Sequence, residues 1–132
     1  MERTGIAGAG LLPLMTGHFP CKAGGLYQTV VWDGKCQLPR GVRAHTVIQP
    51  GEAGDSGIAA NQVITCGSYH GDTLTVSSAL EAGMATLQRE ILRTDGSICA
   101  PCEVPLGSFG GDLQQRLLLA ALALRQGRLR EV

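Results

Sequence analysis

The chain has 132 residues, no net charge at neutral pH and a pI near 6.8. This length suits one domain with one core. The charge balance argues against a binder of nucleic acid, which needs a basic surface, and gives no polybasic signal for an anionic membrane. No apolar run approaches the roughly 20 residues of a membrane span. We therefore expect neither nucleic acid nor membrane as a partner.

Five cysteines are an odd number for a chain of this size. The first fifteen residues are broken by three glycines and Pro13, and no convincing cleavage site follows them, which argues against a secretory signal. Without such a signal, the cysteines are expected to be reduced thiols. The sequence therefore predicts a cytoplasmic protein.

The first 25 residues show no sustained period of 2 or 3.6, and we predict an irregular, flexible N-terminal segment there. A single α+β domain is predicted over residues 26–132. Leu26–Trp32 is rich in β-branched and aromatic residues and is typical of a strand. A second strand is predicted at Ala44–Gln49, where Pro50 and Gly51 stop it.

Two further strands are predicted at Val63–Gly67 and Thr73–Ser77. The stretch from Ser78 to Arg93 leaves two alternatives open. Apolar residues at helical spacing and a Ser78–Glu81 capping box favour a helix. Alternating residues before the turn signal at 94–96 favour strands joined by a hairpin.

The C-terminal helix has the clearest signals. Asp112 can cap its first turn and Gln115 can reciprocate, while Gly127 and basic residues suit its end. We predict a helix over Asp112–Arg130, packed on a mixed or antiparallel β-sheet. Its apolar run, Leu117–Leu124, is wider than one core-facing stripe, so one side of the helix is predicted to meet another chain.

Cys99 and Cys102 form a Cys-x-x-Cys pair, the sharpest chemical signal of the chain. A redox dithiol needs a helix start to lower one thiol pKa, but Glu103-Val104-Pro105 follows the pair. Zinc needs about four ligands, which Cys66 and His70 would complete if the fold brings them close. The ordinary interpretation is that these thiols are half-buried structural residues.

Residues 63–124 resemble the closing part of the central domain of Mur ligases. The shared features are the strand Val63–Gly67, the following strands, the turn Val104–Gly107 and the Ala- and Leu-rich helix. The resemblance implies the same α+β arrangement and favours strands over a helix before residue 93. The family's nucleotide-binding lysine loop is missing, and Ser108-Phe109 replaces its His-Asn, so ATP-dependent ligation is not implied. The same stretch resembles small uncharacterised proteins of Gram-positive bacteria.

No catalytic or cofactor-binding residue is assigned by these patterns. Gly54-Asp55-Ser56-Gly57 echoes a serine-protease loop, but a triad is defined by geometry and not by a tetrapeptide. We therefore predict a non-catalytic domain that acts through protein–protein interaction, as a homo-oligomer or with another protein, or as a structural accessory. The alternative is a zinc-binding or redox protein that uses Cys66, His70, Cys99 and Cys102.

Overall fold

The computed structural model describes residues 3–15, 17–76 and 83–129. These residues form one mixed sheet of eight strands, a two-stranded hairpin and one C-terminal α-helix, α1 (Leu113–Arg125). The strands are β1 (Thr4–Ala7), β2 (Phe19–Pro20), β3 (Leu26–Trp32), β4 (Arg43–Pro50), β5 (Gln62–Gly67), β6 (Leu74–Thr75), β7 (Met84–Leu87), β8 (Ile91–Leu92), β9 (Ile98–Cys99) and β10 (Glu103–Pro105). The helix packs on β4 and β5. The predicted α+β class, with a mixed sheet and a C-terminal helix, is confirmed.

The strand order of the sheet is β10-β7-β6-β5-β4-β3-β1-β2. Every pairing from β6 to β2 is parallel, whereas β7 pairs antiparallel with both β6 and β10. The carboxyl ends of β4 and β5 therefore lie at one edge of the sheet, and their amino ends lie at the opposite edge. Short connections without α-helix join β3 to β4 and β4 to β5. The parallel strands therefore have two distinct ends, a carboxyl end and an amino end.

The three long parallel strands were predicted from their composition, and all three predictions are confirmed. β3 coincides with the predicted segment, while β4 and β5 each differ from it by one or two terminal residues. Within β3, Tyr27 and Val30 contact the same apolar cluster, and Ala44 and Val47 do so in β4. Side chains of a regular strand alternate between the two faces of the sheet, so residues three positions apart should lie on opposite faces. Because they share a cluster here, the alternation is shifted by one position within both strands. This slip directs His45 towards the helix.

The irregular structure predicted for the N-terminal segment is wrong where β1 forms. β1 pairs with β3 on one side and β2 on the other, and its Ile6 is buried in the core below the helix. Four residues are too few to show a period of 2, and Gly5 weakens any strand propensity. The strand exists because both neighbouring strands supply hydrogen-bond partners.

The hairpin predicted around the turn at residues 94–96 is confirmed by the antiparallel pairing of β8 with β9. β7 and β8 also show that the strand alternative is right for residues 84–87 and 91–92, where the helix alternative is wrong. The Ser78–Glu81 capping box lies outside the described residues. Thr73–Ser77 contributes a shorter strand than predicted, β6, and its last residue is also outside them.

The helix begins as the sequence predicts, with a capping box in which Asp112 and Gln115 satisfy each other's backbone N–H groups. It ends earlier than the predicted Arg130. Gly127 adopts a φ of +70°, and the N–H groups of Gly127 and Arg128 bond back to Leu124 and Ala123, which is a Schellman motif. None of the helices in the described ranges has the length and apolar character needed to cross a membrane.

The helix is covered on two sides by its own chain, while contact with a second chain stays a prediction. Leu117, Leu118, Leu122 and Leu124 are all buried. The sheet covers one side, and Leu12, Leu14 and Phe109 pack against the same core cluster. The width of the run is therefore explained without a second chain, because the segment after β1 folds back over the helix.

Arg125 is the last residue of the helix, in the turn where the sequence predicts basic residues. Its side chain is only 1% exposed. Its guanidinium donates to Thr29 Oγ1 at 3.0 Å, to the carbonyl of Leu92 at 2.6 Å and to the carbonyl of Gln28 at 3.3 Å. Arg125 thus connects the helix to β3 and to the β8–β9 hairpin.

Candidate functional site

A cavity of about 380 Å³ opens at the edge where β4 and β5 end and α1 begins. We call it the sheet-end crevice. It lies outside the carboxyl ends of parallel strands, where ligands bind in many open α/β sheets. Its lining residues come from these strand ends, the turn before β6 and the first turns of the helix: Gly51, Glu52, Cys66, Gly67, Ser68, Tyr69, Asp72, Val76, Leu113, Gln114 and Leu117.

Asp72 is the buried charged group among the residues that line the sheet-end crevice. It is 5% exposed. Its position is fixed by a turn in which the Tyr69 N–H donates to Asp72 Oδ2 at 3.2 Å and the Asp72 N–H donates to the Tyr69 carbonyl at 3.0 Å. Among the described residues, this backbone N–H of Tyr69 is the one hydrogen-bond donor to the carboxylate. A carboxylate can accept about four hydrogen bonds, so acceptor capacity remains.

Two glycines make room for this carboxylate. A Cβ atom at Gly51 would overlap Asp72 Oδ1, and a Cβ atom at Gly67 would overlap Asp72 Oδ2. Gly51 directly follows β4 and Gly67 is the last residue of β5. The missing side chains at two neighbouring strand ends therefore create the space in which Asp72 sits.

The first turns of the helix close the other side of the crevice. Gln114 Nε2 donates to the Cys66 carbonyl at 3.2 Å, which satisfies a carbonyl at the end of β5. The Cys66 thiol is buried and lies 3.8 Å from the carbonyl of Leu117. Burial raises the pKa of Cys66 far above its usual range, and the negative charge of Asp72 raises it further. The thiol is therefore protonated at neutral pH and is a poor nucleophile.

The predicted zinc ligands occupy three different parts of the fold. Cys66 is the next-to-last residue of β5 and lies in the core, and His70 lies in the exposed turn before β6. Cys99 is buried in β9, while Cys102 is half-buried just before β10, and both contact the main core cluster. Residues 3–15, 17–76 and 83–129 contain no group of three or more His, Cys, Asp or Glu side chains that could hold a metal ion. Zinc binding stays a hypothesis.

The Gly54–Gly57 stretch is a loop that bends at Gly57 and is held by its own side chains. Asp55 Oδ1 accepts from the Gly57 N–H at 2.8 Å, and Ser56 Oγ accepts from the Ile58 N–H at 3.1 Å. Both polar side chains are thus used to hold the loop. This arrangement favours a structural role over a catalytic one.

Sequence reasoning missed Asp72 as a site residue, although it noted the strand that ends at Gly67. The available signal was weak: one strand followed by a glycine, a second strand that ends at a glycine, and an aspartate in the turn after it. Their meeting depends on the parallel pairing of β4 with β5.

No model of a protein family, no curated protein and no solved structure matches this chain. The resemblance of residues 63–124 to Mur ligases stays a prediction.

Proposed function

We propose that the chain is a non-catalytic binding domain whose sheet-end crevice receives a lysine or arginine side chain of a protein partner. The observation that carries this proposal is Asp72, a carboxylate that is 5% exposed and accepts one hydrogen bond from the described residues. Burying a charge is costly unless it is paired. A cationic N–H donor in the crevice would supply that pairing through a charge-assisted hydrogen bond.

The walls of the crevice suit the stem of such a side chain. Val76 and Leu117 are buried apolar residues in the lining, and Leu113 adds a half-buried one. Lysine and arginine bury their aliphatic stems along apolar surface while their charged groups seek a polar partner. The cavity volume of about 380 Å³ lies near the lower end of the roughly 300–1,000 Å³ range of small-ligand sites. The crevice is therefore large enough to admit one such side chain, and its lining offers both an apolar wall and a carboxylate.

Two exposed residues at the rim favour a protein partner over a free amine. Tyr69 is 72% exposed, and tyrosine is enriched at protein interfaces. Glu52 is exposed beside it and adds negative charge that would steer a basic partner towards the crevice. The protonated Cys66 thiol supports binding rather than covalent chemistry. We place the domain in the cytoplasm, where its five thiols would stay reduced.

The test is a titration of isotope-labelled protein with Nα-acetyl-lysine methylamide, followed through the backbone amide shifts of Ser68, Tyr69 and Asp72. The matched ligand is Nα-acetyl-norleucine methylamide, which has a similar stem but no charge. The lysine compound is expected to bind at least about tenfold more tightly, because a charge-assisted hydrogen bond contributes about 1.4 kcal/mol or more to the free energy of binding. Equal binding of the two compounds would contradict the proposal.

Asp72→Asn provides the second measurement, because it keeps the shape of the side chain and removes the charge. Binding of the lysine compound should weaken by about tenfold. Asp55→Asn, in an exposed loop outside the crevice, should leave binding unchanged. The same loss in both variants would mean that the ligand responds only to overall charge.

The alternative function, a zinc-binding or redox protein that uses its thiols, is tested by a separate experiment. Elemental analysis of purified protein should find less than stoichiometric zinc if the crevice proposal is right. One zinc per chain that disappears in Cys99→Ser and Cys66→Ser variants would favour the zinc-binding alternative instead.

A further inference from the structure

A second concave surface lies at the opposite end of the parallel strands. This amino-edge groove has a volume of about 650 Å³ and runs across the starts of β3 and β4 and the residues before β5. Its polar lining consists of side chains that carry N–H donors: Arg3, Gln28, Arg43, His45 and Asn61. None of the described residues that line it is acidic. The groove is therefore the electrostatic opposite of the sheet-end crevice.

Arg3 is held in place over an aromatic ring. Its guanidinium carbon lies 4.6 Å from the ring centroid of Tyr27, which is a cation–π contact. The ring itself is fixed, because Tyr27 Oη accepts from the Lys22 N–H at 2.8 Å and the ring packs against Gly5 and Gly25 so closely that a Cβ at either would meet it within 3.0 Å. This contact orients the guanidinium before any ligand arrives.

The proton of His45 is also assigned by its neighbours. The Nδ1 atom lies 3.3 Å from Nη2 of Arg125, and a guanidinium can only donate. Nδ1 is therefore the acceptor, and neutral His45 carries its proton on Nε2. Among the described residues no hydrogen bond engages Nε2, so its N–H is available as a donor to a ligand in the groove.

We propose that the amino-edge groove binds the phosphate group of a small molecule. Arg43, exposed at the first position of β4, and Arg3, exposed just before β1, supply two guanidinium groups from distant parts of the chain. The N–H of His45 and the amide groups of Gln28 and Asn61 add neutral donors to the lining, from β4, β3 and the residues before β5. A phosphate presents oxygens in several directions, whereas the two oxygens of a carboxylate lie in one plane, so phosphate fits donors that come from several strands.

The size and charge of the whole chain favour a small ligand over a nucleic acid or a membrane. Its eleven basic and eleven acidic residues leave no net charge. A polyanion binder gains affinity from many phosphate contacts across a basic surface, but among the described arginines only Arg3 and Arg43 line this groove. One phosphate group meets both requirements.

The experiment titrates labelled protein with inorganic phosphate at constant ionic strength maintained with sodium chloride, and follows amide shifts at Gln28, Arg43 and Asn61. Saturable shifts are expected at these positions. Arg43→Gln should weaken binding by about tenfold, the loss of one charge-assisted pair. Arg40→Gln, an exposed arginine in the loop before β4 and outside the groove, is the matched control and should bind as the native chain does. Arg3→Gln gives a second variant, and melting temperatures show that all three fold.

Three outcomes would overturn the proposal: shifts spread evenly over the basic surface, equal losses in Arg43→Gln and Arg40→Gln, or tighter binding of succinate than of phosphate. Tighter binding of phosphate, with a loss confined to the groove variants, would support it. The result does not depend on Asp72, so it separates cleanly from the crevice experiments.

Discussion

The sheet-end crevice and the amino-edge groove lie at opposite ends of the same parallel strands and hold opposite charges in different ways. In the crevice, a carboxylate is 5% exposed and two glycines leave the space that admits it. In the groove, Arg3 and Arg43 are exposed on strand starts. Because Asp72 is buried, only a group narrow enough to enter the crevice can pair with its charge. Because Arg3 and Arg43 are exposed, a small anion can reach them directly from solvent.

The two ends also depend differently on the rest of the fold. Asp72 is positioned by backbone atoms that lie close in the chain, in a turn of four residues. His45 is positioned by Arg125, which is 80 residues away in sequence and comes from the helix. The groove should therefore be more sensitive to the docking of the helix end, and the crevice to local changes at the strand ends.

The largest expected loss of stability comes from a substitution near the amino-edge groove. Arg125→Met should destabilise the fold by roughly 3–5 kcal/mol, because bonds from a charged donor to Thr29, Leu92 and Gln28 are worth about 1.5–3 kcal/mol each and do not add fully. Urea denaturation measures the change. Arg128→Met, at an exposed position just beyond the helix, should stay within about 0.5 kcal/mol of the native chain. Equal effects of the two variants would mean that Arg125 does not connect the helix to β3.

At the crevice end, Leu117→Ala should cost about 2–5 kcal/mol, as expected for a leucine buried in a core. The same change enlarges the crevice, so binding of the lysine compound should weaken as well. Leu119→Ala, at a half-buried position of the same helix, should cost less and leave binding unaltered. A loss of stability for Leu117→Ala within experimental error would show that the helix does not dock on β5.

Gly51→Ala tests the crevice separately from the groove, because it displaces the buried carboxylate of Asp72 without removing its charge. The new Cβ atom would overlap Asp72 Oδ1, so we expect a destabilisation of about 1–3 kcal/mol by overpacking and loss of lysine binding. Gly71→Ala is the matched control, because a Cβ atom added there would have no neighbouring atom within 4 Å. Phosphate binding in the groove should survive both changes. Retained lysine binding in Gly51→Ala would show that Asp72 does not carry recognition.

The smallest effect concerns Cys21, which packs near Tyr27 on the groove side of the fold. Burial, and then the neighbouring Cys36, raise the pKa of Cys21 from 9.0 to about 11. The folded pKa is above the unfolded one, so the folded chain holds the proton more tightly. The resulting stabilisation is complete below pH 9 and is lost as the pH rises to about 11.

Urea midpoints of the native chain and of Cys21→Ala, measured from about pH 8 to about pH 11, test this linkage. The gap in stability between the two proteins should narrow as the pH rises, because only the native chain loses the contribution of Cys21. A gap that stays constant would mean that Cys21 is as accessible in the folded chain as in the unfolded one.

Local chemistry made several features of the fold predictable. The capping box of Asp112 and Gln115 and the turn at residues 94–96 each rest on residues within one turn of each other. The long strands carry enough β-branched residues to be recognised alone. β1 was missed since its four residues, one of them a glycine, become a strand only when β3 and β2 flank them.

The sequence by itself determined the α+β class, the three long strands and the start of the helix, because each depends on short-range pattern, propensity and capping. The tertiary structure decided where charge lies. Asp72 became a buried site residue when parallel pairing brought Gly51 beside Gly67, and Arg125 became a buried connector when the helix end met β3. Both outcomes depend on contacts between residues distant in the chain, and the cost or gain of burying a charge is set by such contacts.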